Sequence, residues 1–190
     1  MPLSPPAPRR PFHTRRITAE GFRREAGGWD IEGHLVDTKP FAYREYYHGE
    51  MPAGRPVHEM LIRVTVDDDL VVQAVEAVTD NAPYRPCFQV APNFQALLGA
   101  KMGGGWRKEV RRRMGGTNGC THLIELLDIL GTVAFQTSAY GPHPENVDPN
   151  DYWQTFTNKP FFLDGCHAWS SKGEVVRDRL PDYYSGPDAQ

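Results

Sequence analysis

Apolar residues alternate with polar ones through the first half of the chain and recur at helical spacing in the second. Trp29-Asp30-Ile31-Glu32-Gly33-His34-Leu35 alternates strictly, and a period of two predicts a strand with one buried face. Residues 60–66, the turn Asp67-Asp68-Asp69 and residues 70–78 predict an antiparallel hairpin. Met60, Ile62, Val64 and Val66 share one face of it, and Leu70, Val72, Ala74 and Val78 share another. The three aspartates read as a solvated turn, because no glutamate or glycine follows at the spacing of a calcium loop. Past Pro92 the period lengthens. Residues 93–100 predict a short helix, and Trp106, Val110 and Met114 mark a second over 106–114. The strongest helix spans 121–138, where Leu123, Leu126, Leu127, Leu130 and Ala134 form one apolar stripe. Residues 161–169, a Ser-Ser-Lys-Gly turn and residues 174–179 predict a closing hairpin. Strands, then helices, then strands make an α+β domain: a largely antiparallel sheet packed against about three helices.

Composition narrows the class without naming an activity. The 190 residues are 39% hydrophobic and 24% charged, enough for one globular domain with its own core. Residues 1–12 are a proline-rich arm, 13–184 the domain and 185–190 a flexible tail. No run near the amino terminus resembles a secretory leader, and none is long and apolar enough to cross a membrane. A formal charge of −3 excludes the basic excess of a general nucleic-acid binder. The five basic residues of 107–113 therefore read as the solvated face of an amphipathic helix. Three cysteines are too few for a disulfide scaffold and point to the cytoplasm. Small molecules are the expected partners, with a homo-oligomer left open.

Three cysteines beside seven histidines bring in chemistry. Gly119-Cys120-Thr121-His122 opens the long helix, and the free N–H groups and dipole of a helix start favour a thiolate. A second cluster is Asp164-Gly165-Cys166-His167-Ala168-Trp169. On a regular strand Cys166 and His167 face opposite ways, unless Gly165 supplies a bulge. Parity puts His167 with Phe161, Leu163 and Trp169, and His58 with Met60, Ile62 and Val64, so both histidines face inward. Cys87, between hairpin and helices, is a further candidate ligand. His13, His34, His48 and His143 stand in polar or loop contexts and read as surface.

In combination, Pro56-Val57-His58-Glu59-Met60, the Asp67-Asp68-Asp69 hairpin, Pro83-Tyr84-x-x-Cys87, Gly119-Cys120-Thr121-His122-Leu123 and Cys166-His167-Ala168 resemble a bacterial family catalogued as domain of unknown function 2889. That resemblance covers roughly residues 13–184 and brings no activity with it. The order of hairpin, cysteine, helices and a Cys–His pair opening the last long helix is similar to NifU-like iron–sulfur scaffold proteins. This second resemblance implies a NifU-like core with extra strands, in which Cys87, Cys120 and His122 would hold Zn²⁺ or a nascent cluster. The middle cysteine of that pattern has no counterpart here, where Gly99, Gly103, Gly104 and Gly105 stand.

Three functional readings follow. The first is a metal-assisted enzyme of hydrolase or lyase type, acting on an organic small molecule. Cys120, His122, Cys166 and Cys87 are its candidate Zn or Fe ligands, and His167, Glu125 and His58 its acid–base groups. Arg107 and Arg111 would anchor a substrate carboxylate, and Trp169, with Trp106, Trp153, Phe161 and Phe162, would line an apolar pocket. The second reading is a metal or iron–sulfur binding module without turnover. The third uses no metal, with Cys120 as nucleophile or histidines alone moving protons, as in a decarboxylase.

Overall fold

The computed structural model describes residues 3–139, 141, 144–146, 148, 156 and 158–186. Four strands, β1 (Thr14–Arg23), β2 (Trp29–Thr38), β5 (Pro56–Val66) and β6 (Val72–Asn81), form an antiparallel sheet in the order β1-β2-β5-β6. A small hairpin, β3 (Tyr43–Glu45) and β4 (Gly49–Met51), is inserted between β2 and β5. Two 3₁₀ helices follow β6, at Arg85–Gln89 and Ala91–Leu97. Then come α1 (Trp106–Met114), α2 (Thr121–Ser138) and α3 (Glu174–Arg179). The expected α+β class and the bounds of both long helices hold.

The sheet is built in rows. Register pairs Gly21 with Ile31 and Ile31 with Val64, then Ala19 with Gly33 and Ile62, then Ile17 with Leu35 and Met60. All of these project to one face, where Ile31, Leu35, Met60 and Val64 are completely buried. α2 lies across that face and contributes Leu123, Leu126, Leu127, Leu130 and Ala134, each wholly buried. Burying a leucine stabilises by roughly 1.5–3 kcal/mol, so this stripe anchors the helix. Two glycines set how closely it approaches. A Cβ on Gly33 would stand 3.3 Å from Leu126 and Leu130, and one on Gly21 would run into the Thr137 side chain.

The structure corrects three expectations. Residues 161–169 form successive turns and residues 174–179 form α3, so there is no closing hairpin. The turns close on themselves through Leu163 N to Pro160 O, Gly165 N to Phe162 O and Trp169 N to Cys166 O. Val176 and Leu180, one helical turn apart, bury against Leu163 instead of alternating. In β6, register runs Val66↔Val72 and then Thr65↔Ala74, which leaves Gln73 as an extra residue. That bulge reverses parity: Val75 turns inward, while Ala74 and Val78 face solvent. The helix predicted over 93–100 is the 3₁₀ helix Ala91–Leu97. The aspartate turn is stabilised from within. Asp67 Oδ1 accepts from the amides of Asp69 and Val71, and Asp68 pairs with Arg23.

Candidate functional site

One row of the inner face is polar. Next to Ile17, Leu35 and Met60, register aligns Arg15 with Asp37 and Asp37 with His58, one from each of three neighbouring strands. Arg15 holds Asp37 bidentately: Nε donates to Oδ1 at 2.8 Å and Nη2 to Oδ2 at 2.7 Å. His58 Nδ1 lies 3.1 Å from Oδ2, and His13 Nε2 lies 3.3 Å from Oδ1. Asp37 is 1% exposed, so its charge survives burial only because of these partners. A bulge follows at once, where the β2–β5 register slips between Asp37 and Thr38.

α2 brings the next member. Its N-cap is Cys120, and His122 stands in its first turn. The His122 ring stacks on His58 with centroids 3.9 Å apart and planes 31° apart. Its Nε2 points to Asp37 Oδ2 at 4.0 Å, and its Nδ1 to Cys120 Sγ at 3.8 Å. Cys120 Sγ is also 3.8 Å from Met60 Sδ, in the adjoining row. Glu125, one helical turn on, pairs with the other arm of Arg15.

Protonation follows from these contacts. Burial pushes the Asp37 carboxyl upward, but the Arg15 hydrogen bonds and charge, helped by His58, outweigh it and hold the group at about 2. His58 is shifted down from 6.5 mainly by burial, against the opposing pull of Asp37. His122 is shifted down by burial and by its neighbours His58 and Arg15. Both imidazoles are therefore neutral at pH 7, facing an ionised carboxylate. That is the protonation state metal ligands require. His58 donates Nδ1–H to Asp37, because a carboxylate can only accept.

Ligand atoms from Asp37, His58 and His122 all lie within 4.8 Å of one another, and these three make the metal-compatible group found among the described residues. The predicted residues divide around it. His58 and His122 belong to it, Cys120 adjoins it through His122, and Glu125 reaches it through Arg15. Cys87, in the 3₁₀ helix Arg85–Gln89, packs on the main core close enough to feel the charge of Cys120. Burial first, and then that charge, raises its thiol pKa. Cys166 and His167 are exposed in the turns of residues 161–169 and are not in the group. Their strand parity fails because no strand exists there.

Arg107 and Trp169 line a separate cavity, while Arg111 is occupied by Asp128 at 2.9 Å. His13 is exposed, as expected, and reaches Asp37 from the surface. His34 lies 3.4 Å from Glu59, and His48 Nε2 lies 3.1 Å from the Ala82 carbonyl. His143 and Trp153 fall outside the described residues.

Sequence reasoning missed Asp37, Arg15 and His13. The signal was present: Asp37 continues the inward set Trp29, Ile31, Gly33 and Leu35, and a charged residue at a buried parity position is seldom idle. Among the described residues, no helix is long and apolar enough to cross a membrane. No curated protein and no solved structure matches the chain. The sequence profile of a family described as "Protein of unknown function (DUF2889)" matches residues 13–136. That span starts at His13 and stops short of the turns carrying Cys166 and His167, so it encloses the whole Asp37 group. The chain belongs to this family.

Proposed function

We propose that this chain is a metal-assisted enzyme of hydrolase or lyase type, acting on an organic small molecule. Asp37, His58 and His122 hold one Zn²⁺ or Fe²⁺. The observation that carries the reading is the convergence of one carboxylate and two neutral imidazoles on a single point. Two ligands bonded at ~2.0–2.1 Å to a tetrahedral ion stand ~3.3–3.4 Å apart. A bound ion would displace the Nδ1 proton that His58 otherwise donates to Asp37, and the separations of 3.1 Å (His58 Nδ1 to Asp37 Oδ2) and 4.0 Å (His122 Nε2 to Asp37 Oδ2) bracket that value. Three protein ligands leave a position for water or substrate. Arg15 orients the carboxylate and Cys120 orients His122 through its other nitrogen, as supporting groups do around metal ligands. Glu125 is the adjacent carboxylate able to exchange protons with solvent. The cysteines are free thiols, in keeping with a reducing compartment, and we assign the activity to the cytoplasm.

The test is metal titration of chelator-treated protein by calorimetry. The expected result is one Zn²⁺ or Fe²⁺ per chain, with His58→Ala and His122→Ala each weakening binding at least tenfold and Cys166→Ala leaving it unchanged. Absence of saturable binding, or indifference to both histidine substitutions, overturns the reading. A loaded protein that turns over no ester, amide or 3-oxo acid supports instead a metal or iron–sulfur binding module of the NifU-like kind.

A second reading rests on the Asp37–His58 contact itself. A neutral imidazole whose Nδ1–H is held by an ionised carboxylate exposes Nε2 as a base. Turnover that persists in metal-free protein and is lost in His58→Ala favours this acid–base reading.

A further inference from the structure

The far half of α2 borders a cavity of about 550 Å³, within the range of small-molecule sites. From His122 to Gly131 the helix advances ~13 Å, so this cavity is distinct from the Asp37 group. Its floor depends on missing side chains. A Cβ on Gly131 would press into the Trp106 indole, and one on Gly104 would stand 3.0 Å from Phe161. The Trp106 ring is fixed in place because its Nε1–H donates to the Leu127 carbonyl at 2.6 Å.

The walls are aromatic. Phe135 meets Phe161 at 5.1 Å and Phe162 at 5.4 Å between centroids, and Phe162 meets Trp169 at 4.7 Å. Such a surface presents flat ring faces and edges to a guest. Two charged groups reach the lining from α1 and α2. Asp128 is neutralised by Arg111. Arg107 has no hydrogen-bond or ion-pair partner among the described residues, unlike Arg111, Arg112 and Arg113 of the same helix. Among the described lining residues, the charge left over is therefore one guanidinium, on an arginine open to solvent at the cavity rim. It stands in the first turn of α1, whose Gly105 cap offers no side chain to the free amides there.

We propose that this cavity binds an aromatic carboxylate, with its ring against Trp106, Phe135 and Phe161 and its carboxylate on Arg107. Apolar walls supply affinity for the ring, and the planar guanidinium suits a carboxylate in two-point contact. The aromatic–glycine construction selects flat guests over branched ones, since the floor at Gly131 and Gly104 leaves no relief for a bulky substituent.

Calorimetry on the full chain with 1-naphthoate, and with its neutral counterpart 1-naphthylmethanol, tests this. The expected result is saturable 1:1 binding of 1-naphthoate, at least tenfold tighter than the alcohol. Arg107→Ala should weaken the acid at least tenfold while changing the alcohol less than twofold. Thr132→Trp, at an exposed helix position on the cavity rim, should weaken both at least tenfold without altering the circular dichroism. His58→Ala should leave both unchanged, which separates this site from the metal centre. The proposal is overturned by absence of saturable binding up to about 5 mM, by indifference to both Arg107→Ala and Thr132→Trp, or by binding that His58→Ala abolishes and Thr132→Trp does not.

Discussion

The two ends of α2 solve the problem of polarity in opposite ways. At its first turn a buried carboxylate is surrounded by a guanidinium and three imidazoles, and almost every polar atom is matched. At its far half the walls are rings, and one guanidinium has no counter-charge among the described residues. The first end is assembled from sheet rows and a helix start, all regular structure. The second leans on glycines and on the turns of residues 161–169. A matched charge cluster resists change and tolerates little substitution. A solvent-facing cation on the rim of an apolar cavity is free to take up a counter-charge that arrives.

The largest effect should come from breaking the matched end. Asp37→Ala removes the buried partner of Arg15, which is itself partly exposed and keeps Glu125, so the cost is about 3 kcal/mol, the low end for breaking a buried pair. Urea denaturation should show that loss, and metal binding should vanish with it. Gly21→Val attacks the other half of the helix, where the new side chain meets Thr137. Overpacking of this kind costs up to about 3 kcal/mol, and Thr137→Ala in the same chain should restore a good part of it. Metal affinity should change little in that variant, because His122 sits more than three turns away.

Acid sharpens the contrast next. Asp37 is lowered from 3.8 to about 2, so the unfolded chain takes up the proton first as pH falls. Its contribution is full above about pH 4 and is lost as pH drops toward 2, roughly 2 kcal/mol in all. His58 and His122, both lowered by burial, act with the same sign. Their share is present above 6.5 and shrinks as pH falls below it, and bound metal should be released over the same acid limb. A series of melts from pH 7 to pH 2 with and without Zn²⁺ checks both. The smallest effect belongs to Cys166→Ser, which should shift stability by less than about 0.5 kcal/mol, since Cys166 is exposed and outside the matched cluster.

How much of this was legible in the sequence depended on whether a residue obeyed a period. α1 and α2 were readable because their apolar positions follow a helical repeat that the core then uses. His58 and His122 followed from strand parity and from the helix start. The edge strand β1 carries Arg15, Arg16, Glu20 and Arg23, so its alternation is faint, and Arg15 within it and His13 just before it stayed hidden. Residues 161–169 misled because alternating apolar residues in successive turns mimic a strand when Asp164 adopts φ 58° and breaks it. The bulge at Gln73 shows the same limit on a smaller scale: one extra residue reverses every face beyond it.

The polar row also proofreads the strands that carry it. Ile17, Ala19 and Gly21 are modest apolar groups, and sliding β1 along β2 would cost little if burial alone held it. A one-residue slip one way would set Thr14 opposite Asp37 and withdraw the guanidinium from a carboxylate that water cannot reach; the other way would bring Arg16 there, and either slip would turn Glu20 inward under α2. Misaligned sheets would thus carry an unmatched buried charge, while the aligned one carries none. The residues that equip the site for chemistry are the same ones that leave the chain a single acceptable alignment.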